Sequence, residues 1–254
     1  MNKILGVVPA RMGSSRFYGK PLVNINGIPM IAHCYFRSLQ SKKLNKVVLA
    51  TPDDEILNFA KSYNIEAIKT SHQHERASER AGEVLDIFNS KGIEYDYVLL
   101  LQGDEPQISP LEIDKLATRL IESKNSVVNL VHPIQEEDMK NPNVVKAVSG
   151  IDNNILFFSR AHIPHNSTSG YRQLGMIGFK SNALKKYCSL KPTKLEVLES
   201  IDMMRMLENN IKIESLISNE AIIGVDHPED IQKVELLMKK DELVNNYSSF
   251  FKAK

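Results

Sequence analysis

Ile4–Pro21, with the sequence ILGVVPARMGSSRFYGKP, joins an apolar run to a loop rich in basic residues. The run from Ile4 to Val8 is typical of a buried strand. Pro9 ends it, because proline has no N–H to donate to a neighbouring strand. The loop after the first strand of an α/β unit is a frequent anion-binding position, so we expect a ligand at this end of the strand.

The chemistry of this loop favours a polyphosphate. Gly13 lets the backbone approach a ligand without a Cβ in the way, and successive N–H groups in such a turn form a concave anion site. Arg11, Arg16 and Lys20 add positive charge that suits phosphate. The loop contains neither a Walker A sequence nor a Gly-x-Gly-x-x-Gly fingerprint. The alternative is a solvated basic loop that follows an edge strand.

Composition excludes several classes of function. The chain has 254 residues and 42% hydrophobic residues, which is enough for a folded core. Its net charge of +1 provides no broad field for nucleic acid or an anionic membrane, so we expect neither partner. Cys34 and Cys188 are far apart in sequence and are predicted to be buried free thiols. With no signal peptide and no apolar run of membrane-spanning length, a cytoplasmic location is expected.

Apolar runs and amphipathic segments alternate along the rest of the chain. Strands are predicted at residues 46–50, 67–70, 97–101 and 126–131. Helices are predicted to begin at Pro29, after Asp53 and at Pro110, and another runs from Lys194 through Leu207. Such alternation indicates parallel pairing with right-handed crossovers. The sequence therefore predicts one α/β domain over residues 1–254, with a mostly parallel twisted sheet and helices on both faces.

A central apolar strand ends abruptly in Gln102-Gly103-Asp104-Glu105-Pro106. Acids at the carboxyl end of a parallel strand lie beside the loop of the first strand. Mg²⁺ takes carboxylate and phosphate oxygens and keeps several waters, so one carboxylate here is enough to anchor a metal–triphosphate. The alternative is an ordinary acidic turn after a strand.

Two further polar segments each lead into a helix. In residues 71–84, Ser78 is a candidate helix cap, and Arg80 is presented from the first turn. In residues 222–230, Glu229 and Asp230 suit the N-terminus of the last helix. Helix capping does not account for Asp226. We therefore treat Asp226 as a candidate functional residue.

Together, these segments resemble the 3-deoxy-manno-octulosonate (Kdo) cytidylyltransferases, which make CMP-Kdo from CTP. The resemblance spans Ile4 to about Leu237. The segments that carry it are residues 9–21, 74–80, 102–106, 141–148, 157–164, 172–180, 194–199 and 222–230. It implies a nucleotidyltransferase, Rossmann-like fold with a smaller sheet-containing lobe at about residues 126–215. That lobe is expected to bind the sugar and to form a homodimer through residues 157–164.

The resemblance also implies roles for individual residues. It implies catalytic roles for Arg11, Lys20, Asp104 and Asp226, with Asp104 and Asp226 holding Mg²⁺. The nucleotide-binding residues it implies are Ala10, Gly13, Ser14, Arg16, Lys20, Ser78, Arg80, Gln102 and Gly103. The acceptor-binding residues it implies are Gln102, Arg160, Gln173, Glu196 and Glu199. The expected reaction transfers CMP from CTP to an acidic sugar in lipopolysaccharide or capsule synthesis.

This chain departs from the family pattern at several positions. Arg76 and Ala77 stand where serine and glycine are usual near the base and ribose, and Ser78 replaces threonine. On the acceptor side, Gln173 replaces histidine and Ile177 replaces tyrosine. The sequence therefore leaves four candidates for the acceptor: Kdo, 8-amino-Kdo, a sialic-type acid and a phosphonate. A non-catalytic nucleotide-binding regulator is the alternative from another functional class.

Overall fold

The computed structural model describes residues 2–13 and 17–252. The predictions for Ser14 and Arg16 lie outside the described residues. The strands are β1 (Ile4–Pro9), β2 (Asn24–Ile25), β3 (Ile28–Pro29), β4 (Lys46–Thr51), β5 (Ala67–Lys69), β6 (Tyr97–Leu101), β7 (Val127–Gln135), β8 (Lys146–Ser149), β9 (Ile155–Ser159), β10 (Ser169–Lys180) and β11 (Ile213–Ile217). The helices are α1 (Met30–Ser38), α2 (Asp54–Ser62), α3 (Ala77–Ser90), α4 (Pro110–Glu122), α5 (Glu136–Lys140), α6 (Ser181–Ser189), α7 (Lys194–Glu199), α8 (Met204–Glu208), α9 (Pro228–Met238) and α10 (Ser249–Lys252).

The main sheet has the strand order β11-β7-β10-β6-β1-β4-β5. Strand β1 lies inside the sheet, parallel to both β4 and β6. The basic loop therefore does not follow an edge strand. Strand β10 runs antiparallel to its neighbours β6 and β7, whereas β4–β5 and β7–β11 are parallel. The prediction of a mostly parallel sheet is confirmed for this seven-strand order, in which β10 is the antiparallel strand.

Alternating residues of β1 pack on opposite faces of the sheet, as expected for a strand that is covered on both sides. Leu5 and Val7 join a core with Val84 of α3. Ile4 and Val8 join a second core that contains residues of α1, α2 and α4. This arrangement confirms the prediction that helices lie on both faces.

The smaller lobe continues the main sheet. Strands β8 and β9 form an antiparallel pair, and β8 pairs with the first half of β10 through Tyr171 and Arg172. The pairing of β10 with β7 is interrupted by a bulge between Gln173 and Ile177. The bulge separates the part of β10 in the lobe from the part that lies beside β6, and so it adjoins the carboxyl end of β6.

Three local predictions are wrong. The helix predicted from Lys194 through Leu207 is broken between α7 and α8, where Ser200 adopts a left-handed conformation with φ of 54°. Ser78 does not cap α3, which begins at Ala77. Cys34 is buried as predicted, but Cys188 is exposed.

Within residues 2–13 and 17–252, none of the helices is both long enough and apolar enough to cross a bilayer.

Candidate active site

A cavity of about 460 Å³ opens where β1 and β6 end. Because these strands are parallel neighbours, the basic loop after β1 and the acidic segment after β6 meet at one edge of the sheet. The residues that line the cavity include Pro9, Ala10, Arg11, Gly13, Lys20, Arg76, Ala77, Arg80, Gln102, Gly103, Asp104, Asp202 and Asp226. The structure thus brings most of the predicted nucleotide-binding residues together.

Gly103 allows the ends of β1 and β6 to approach each other closely. A Cβ at this position would lie 2.5 Å from the carbonyl oxygen of Pro9 and 2.8 Å from Ile31. The first contact is with backbone, so a larger residue would push the two strand ends apart. The close approach of the two strand ends therefore requires glycine at position 103.

The described part of the basic loop is held by hydrogen bonds. The backbone N–H of Met12 donates to the carboxylate of Asp53 over 2.7 Å. The N–H of Gly19 donates to the carbonyl of Met12 over 3.0 Å, and Gly19 has φ of 74°. The sequence identified Asp53 only as a residue near the start of α2. Its contact with the loop was missed, because it joins residues 41 positions apart.

Lys20, Asp104 and Asp226 form the charged centre of this cavity. The Nζ atom of Lys20 lies 2.8 Å from Asp104 and 4.0 Å from Asp226, and also donates to the carbonyl of Val225 over 2.7 Å. The N–H of Val225 donates to the carbonyl of Asp104 over 2.9 Å, which holds the two acidic segments side by side. Each carboxylate is about one third exposed. Both acids are accessible to a ligand in the cavity.

The donor set of Asp104 and Asp226 fits Mg²⁺. Hard carboxylate oxygens suit this ion, which binds through one or two carboxylates together with phosphate oxygens and waters. Among residues 2–13 and 17–252, no group of three or more histidine, cysteine, aspartate or glutamate side chains could hold a metal. The remaining ligands would therefore have to come from a bound phosphate and from water.

Arg80 lines the cavity but is also tied to the protein. Its guanidinium donates to the hydroxyl of Thr70 and, over 3.2 Å, to the carbonyl of Ser71. Burial lowers the pKa of Arg80, and the nearby charge of Arg11 lowers it further. The cavity therefore gathers positive charge from the loop after β1 and from helix α3. Such a site favours a polyanion.

Ser78 is fully buried, and its hydroxyl donates to Asp202 over 2.6 Å. It is not among the residues that line the cavity, whereas Asp202 is. The structure thus places Asp202, rather than Ser78, at the cavity wall. Sequence reasoning missed Asp202 because it lay inside the predicted continuous helix. The break at Ser200 is what brings Asp202 there.

A second cavity of about 630 Å³ lies beside the first, between β10, the β8–β9 lobe and α9. Gln102, Asp104, Asp202 and Asp226 line both cavities. The residues that line only the second cavity include Glu105, Arg160, Arg172, Gln173, Ile177, His227 and Lys233. The predicted acceptor residues Gln102, Arg160 and Gln173 are therefore placed around one space that adjoins the first cavity.

Glu199 acts on Arg160 rather than on the cavity. Its carboxylate accepts from the hydroxyl of Ser159 over 2.8 Å and from the backbone N–H of Arg160 over 2.9 Å. The Nε atom of Arg160 donates to the carbonyl of Glu199 over 3.0 Å. Glu199 is not among the residues that line either cavity. In this structure it positions Arg160 instead of contacting the acceptor space.

Glu196 is also absent from both cavity walls. It is fully buried, and its two carboxylate oxygens accept from Arg205 over 2.6 and 2.7 Å. Arg205 also donates to Glu79 over 2.8 Å and lies 4.3 Å from the ring centre of Tyr187. The expected contact of Glu196 with the acceptor is therefore replaced by an internal ion pair.

The sequence and the fold are similar to those of known nucleotidyl-transferring proteins. A cytidylyltransferase family model matches residues 5–213. A 3-deoxy-manno-octulosonate cytidylyltransferase of Protochlamydia amoebophila is 35% identical over 92% of this chain and 93% of its own length. The corresponding mitochondrial protein of Arabidopsis thaliana is 35% identical over 94% of this chain and 84% of its own length.

Solved structures agree with the sequence relatives. A CMP:2-keto-3-deoxy-manno-octonic acid synthetase complexed with CTP has a TM-score of 0.85 at 32% identity, covering 93% of this chain and 98% of its own. A putative glucose-1-phosphate thymidylyltransferase of Bacillus anthracis has a TM-score of 0.67 at 14% identity, covering 93% and 96%, and shows likeness of fold alone. The fold is that of the nucleotidyltransferases. Within that class, the chain belongs to the 3-deoxy-manno-octulosonate cytidylyltransferase family.

Proposed function

We propose that this protein transfers CMP from CTP to the anomeric hydroxyl of Kdo or a close relative and releases pyrophosphate. The observation that carries the proposal is that Gln102, Asp104 and Asp226 line both cavities. A nucleotide in the first cavity and an acid sugar in the second would meet at these residues. The relatives named Kdo cytidylyltransferases, and the related synthetase solved with CTP, support the same substrates.

The charges of the first cavity suit the triphosphate of CTP. Arg11 and Lys20 are available for the β- and γ-phosphates and for the charge that develops on the leaving pyrophosphate. Lys20 pairs with Asp104, and a bound phosphate would be a second anionic partner for its Nζ atom. Arg80 adds a further positive charge at the same wall.

Asp104 and Asp226 would hold Mg²⁺ at the junction of the cavities. When bound there, Mg²⁺ neutralises phosphate charge and lowers the pKa of an attacking hydroxyl. The carboxylates also oppose the approach of a second anion unless their charge is balanced. We assign no single side chain as the general base. The two acids therefore act by positioning and by charge.

The base is proposed to be cytosine. Its recognition requires a donor for the ring carbonyl and an acceptor for the exocyclic amine. Backbone around Ala10 and Gly103, together with Arg80, lies in the right cavity to provide them. Arg76 and Ala77 line this same cavity, so the departures from the family pattern fall on the nucleotide side as well.

A homodimer through residues 157–164 is part of the proposal. Strand β9 lies at an edge of the sheet and pairs with β8 alone among the described strands. Leu156 on β9 is an exposed apolar residue, and so is Leu198 on α7, the helix whose Glu199 contacts Ser159 and Arg160. A second copy of the chain would cover them.

We also propose a cytoplasmic location and a product that serves lipopolysaccharide or capsule synthesis.

The test is pyrophosphate release with Mg²⁺ across two panels. The four nucleoside triphosphates are each offered with Kdo, and CTP is then offered with Kdo, 8-amino-Kdo, a sialic-type acid and a small phosphonate. We expect turnover with CTP and Kdo. Activity with another acid but not with Kdo would change the assigned acceptor, while the assignment of cytidylyl transfer would stand. CTP binding without turnover would indicate a regulator.

A further inference from the structure

The bulge of β10 is held open by a buried side chain of β7. Leu174 and Met176 lie in the interrupted part of the pairing, where β10 has no register partner on β7. The Nδ2 atom of Asn129 donates to them over 3.0 and 3.2 Å and to the carbonyl of Leu130 over 3.0 Å. Asn129 is fully buried. Its amide thus replaces the missing strand hydrogen bonds.

This contact determines which way two amide groups are oriented. Carbonyl oxygens only accept hydrogen bonds, so the Asn129 atom that faces three of them must be the nitrogen. The Oδ1 atom of Asn129 must then accept. Its partner is the side chain of Gln173, at 2.6 Å, which must present its own nitrogen. The orientation of the Gln173 amide is therefore set by buried backbone carbonyls.

The oxygen of the same amide is left for a ligand. Gln173 lines the acceptor cavity. None of the hydrogen bonds among the described residues is donated to its Oε1 atom. Because one N–H of this nitrogen is donated to Asn129, the amide keeps this orientation and its Oε1 atom can accept from a ligand. Position 173 therefore presents a hydrogen-bond acceptor of fixed orientation to the cavity.

Glu105 supports the other side of the bulge. Its Oε1 atom accepts from the backbone N–H of Gly175 over 2.9 Å, whereas its Oε2 atom is buried without a protein partner. Glu105 lines the same cavity as Gln173. A neighbouring wall, at Ile177, is apolar. Glu105 thus holds the bulge from the β6 side, and the oxygen that remains for a ligand with hydrogen-bond donors is that of Gln173.

We infer that Gln173 is a specificity-determining residue that accepts a hydrogen bond from one non-anomeric hydroxyl or ammonium group of the acceptor sugar. Asn129 is the positioning residue that fixes its orientation. The inference rests on the proposed function and extends it, because it names the kind of group that the acceptor must carry at this point. An acceptor with only hydrogen-bond acceptors there leaves two oxygens facing each other and is rejected.

The test pairs one substitution with a set of substrates. Pyrophosphate release is measured for the wild type and Gln173→Met, with Kdo and with analogues that each lack one non-anomeric hydroxyl. For one analogue we expect the wild type to lose about 10- to 100-fold in kcat/KM. With Kdo, the kcat/KM of Gln173→Met should fall by a similar factor relative to the wild type. With that analogue, Gln173→Met and the wild type should have similar kcat/KM values. It should keep the wild-type losses for the other analogues.

Gln232→Met, at an exposed glutamine on α9 that is not among the cavity-lining residues, is the matched control and should behave as the wild type. An analogue with an amine in place of the identified hydroxyl shows which donor is preferred. Equal selectivity of Gln173→Met and wild type for every analogue would overturn the inference. A uniform loss with every substrate would also overturn it, because that is the signature of a structural role.

Gln173→Leu repeats the test should the methionine variant fold poorly, with melting temperature as the check. Both variants lack the amide, so both must lose selectivity at the same hydroxyl. Failure of the proposed function looks different. A wild type that releases no pyrophosphate with any acid would contradict the proposed function before Gln173 is substituted.

Discussion

The nucleotide and acceptor sides of the site are built in different ways. The nucleotide side uses the ends of parallel neighbours β1 and β6, so Lys20 and Asp104 lie next to each other as a consequence of strand order. The acceptor side depends on a bulge in an antiparallel strand and on the broken α7–α8 segment. There, Arg160 and Gln173 line the cavity, while Glu196 is held in a buried ion pair. Topology places the first set of residues, and individual side-chain contacts place the second.

The largest effect is expected at the junction of the two sides. Asp104→Asn should lower the rate of pyrophosphate release by about three orders of magnitude, because it removes a carboxylate that we propose binds Mg²⁺ beside the reacting phosphate. The control is Asp86→Asn, at an exposed position on α3 outside both cavity walls. Near-normal turnover of Asp104→Asn would contradict the role given to this carboxylate. Isothermal titration with Mn²⁺ and CTP adds a readout other than turnover.

The next prediction concerns the buried Glu196–Arg205 ion pair on the acceptor side. Arg205→Met leaves the buried Glu196 carboxylate without its main partner and should lower the free energy of unfolding by about 3–5 kcal/mol. Chemical denaturation measures this change. Lys140→Met, which breaks an exposed ion pair with Glu136, is the matched control and should cost less than about 1 kcal/mol. Similar losses in the two variants would show that the Glu196–Arg205 pair is not an important part of the framework.

Glu105 gives a prediction about pH. Burial, and then the charge of Asp104, raise the pKa of Glu105 from 4.5 to about 7. Between these pH values the folded state binds more protons than the unfolded state, so stability falls as pH rises. Relative to Glu105→Gln, the wild type should lose up to about 3 kcal/mol of unfolding free energy from pH 4.5 to 7. Denaturation in EDTA at several pH values measures this difference. Parallel pH profiles of the two proteins would contradict the shift.

A smaller and more selective effect is expected at Arg160. Arg160→Met removes a positive charge from the acceptor cavity and should raise KM for the acid about 10- to 100-fold, as expected for loss of a charge-assisted hydrogen bond. The KM for CTP should stay near the wild-type value. Lys185→Met, at an exposed position on α6, is the control. Equal increases in the KM for the acid and the KM for CTP would contradict the claim that Arg160 serves the acceptor side alone.

The sequence predicts the nucleotide side well because its signals are local. Pro9 marks the end of β1 as predicted. Pro110 begins α4 as predicted. Once parallel order is assumed, residues at strand ends must converge. Asp104 and Lys20 could therefore be paired without a structure.

The rest depends on interactions between distant residues. Nothing local indicates that Asp53 holds the backbone of Met12, or that Asn129 supports the bulge of β10. The apolar pattern through residues 194–207 continues across Ser200, so the break in the helix is invisible to periodicity. The amphipathic pattern reports which face is buried, but not which buried carboxylate is paired. The family resemblance predicted that Glu196 faces a ligand, and it instead binds Arg205.

The central claim is that one charged junction joins a CTP site to an acid-sugar site. Phosphorus NMR of the wild-type protein with CTP, Kdo and Mg²⁺ tests it most directly, because the phosphodiester product and pyrophosphate are observed together. The account predicts that both appear in equal amounts, and that neither forms when UTP or GTP replaces CTP. Consumption of CTP without a phosphodiester product, or equal transfer from UTP, would contradict it.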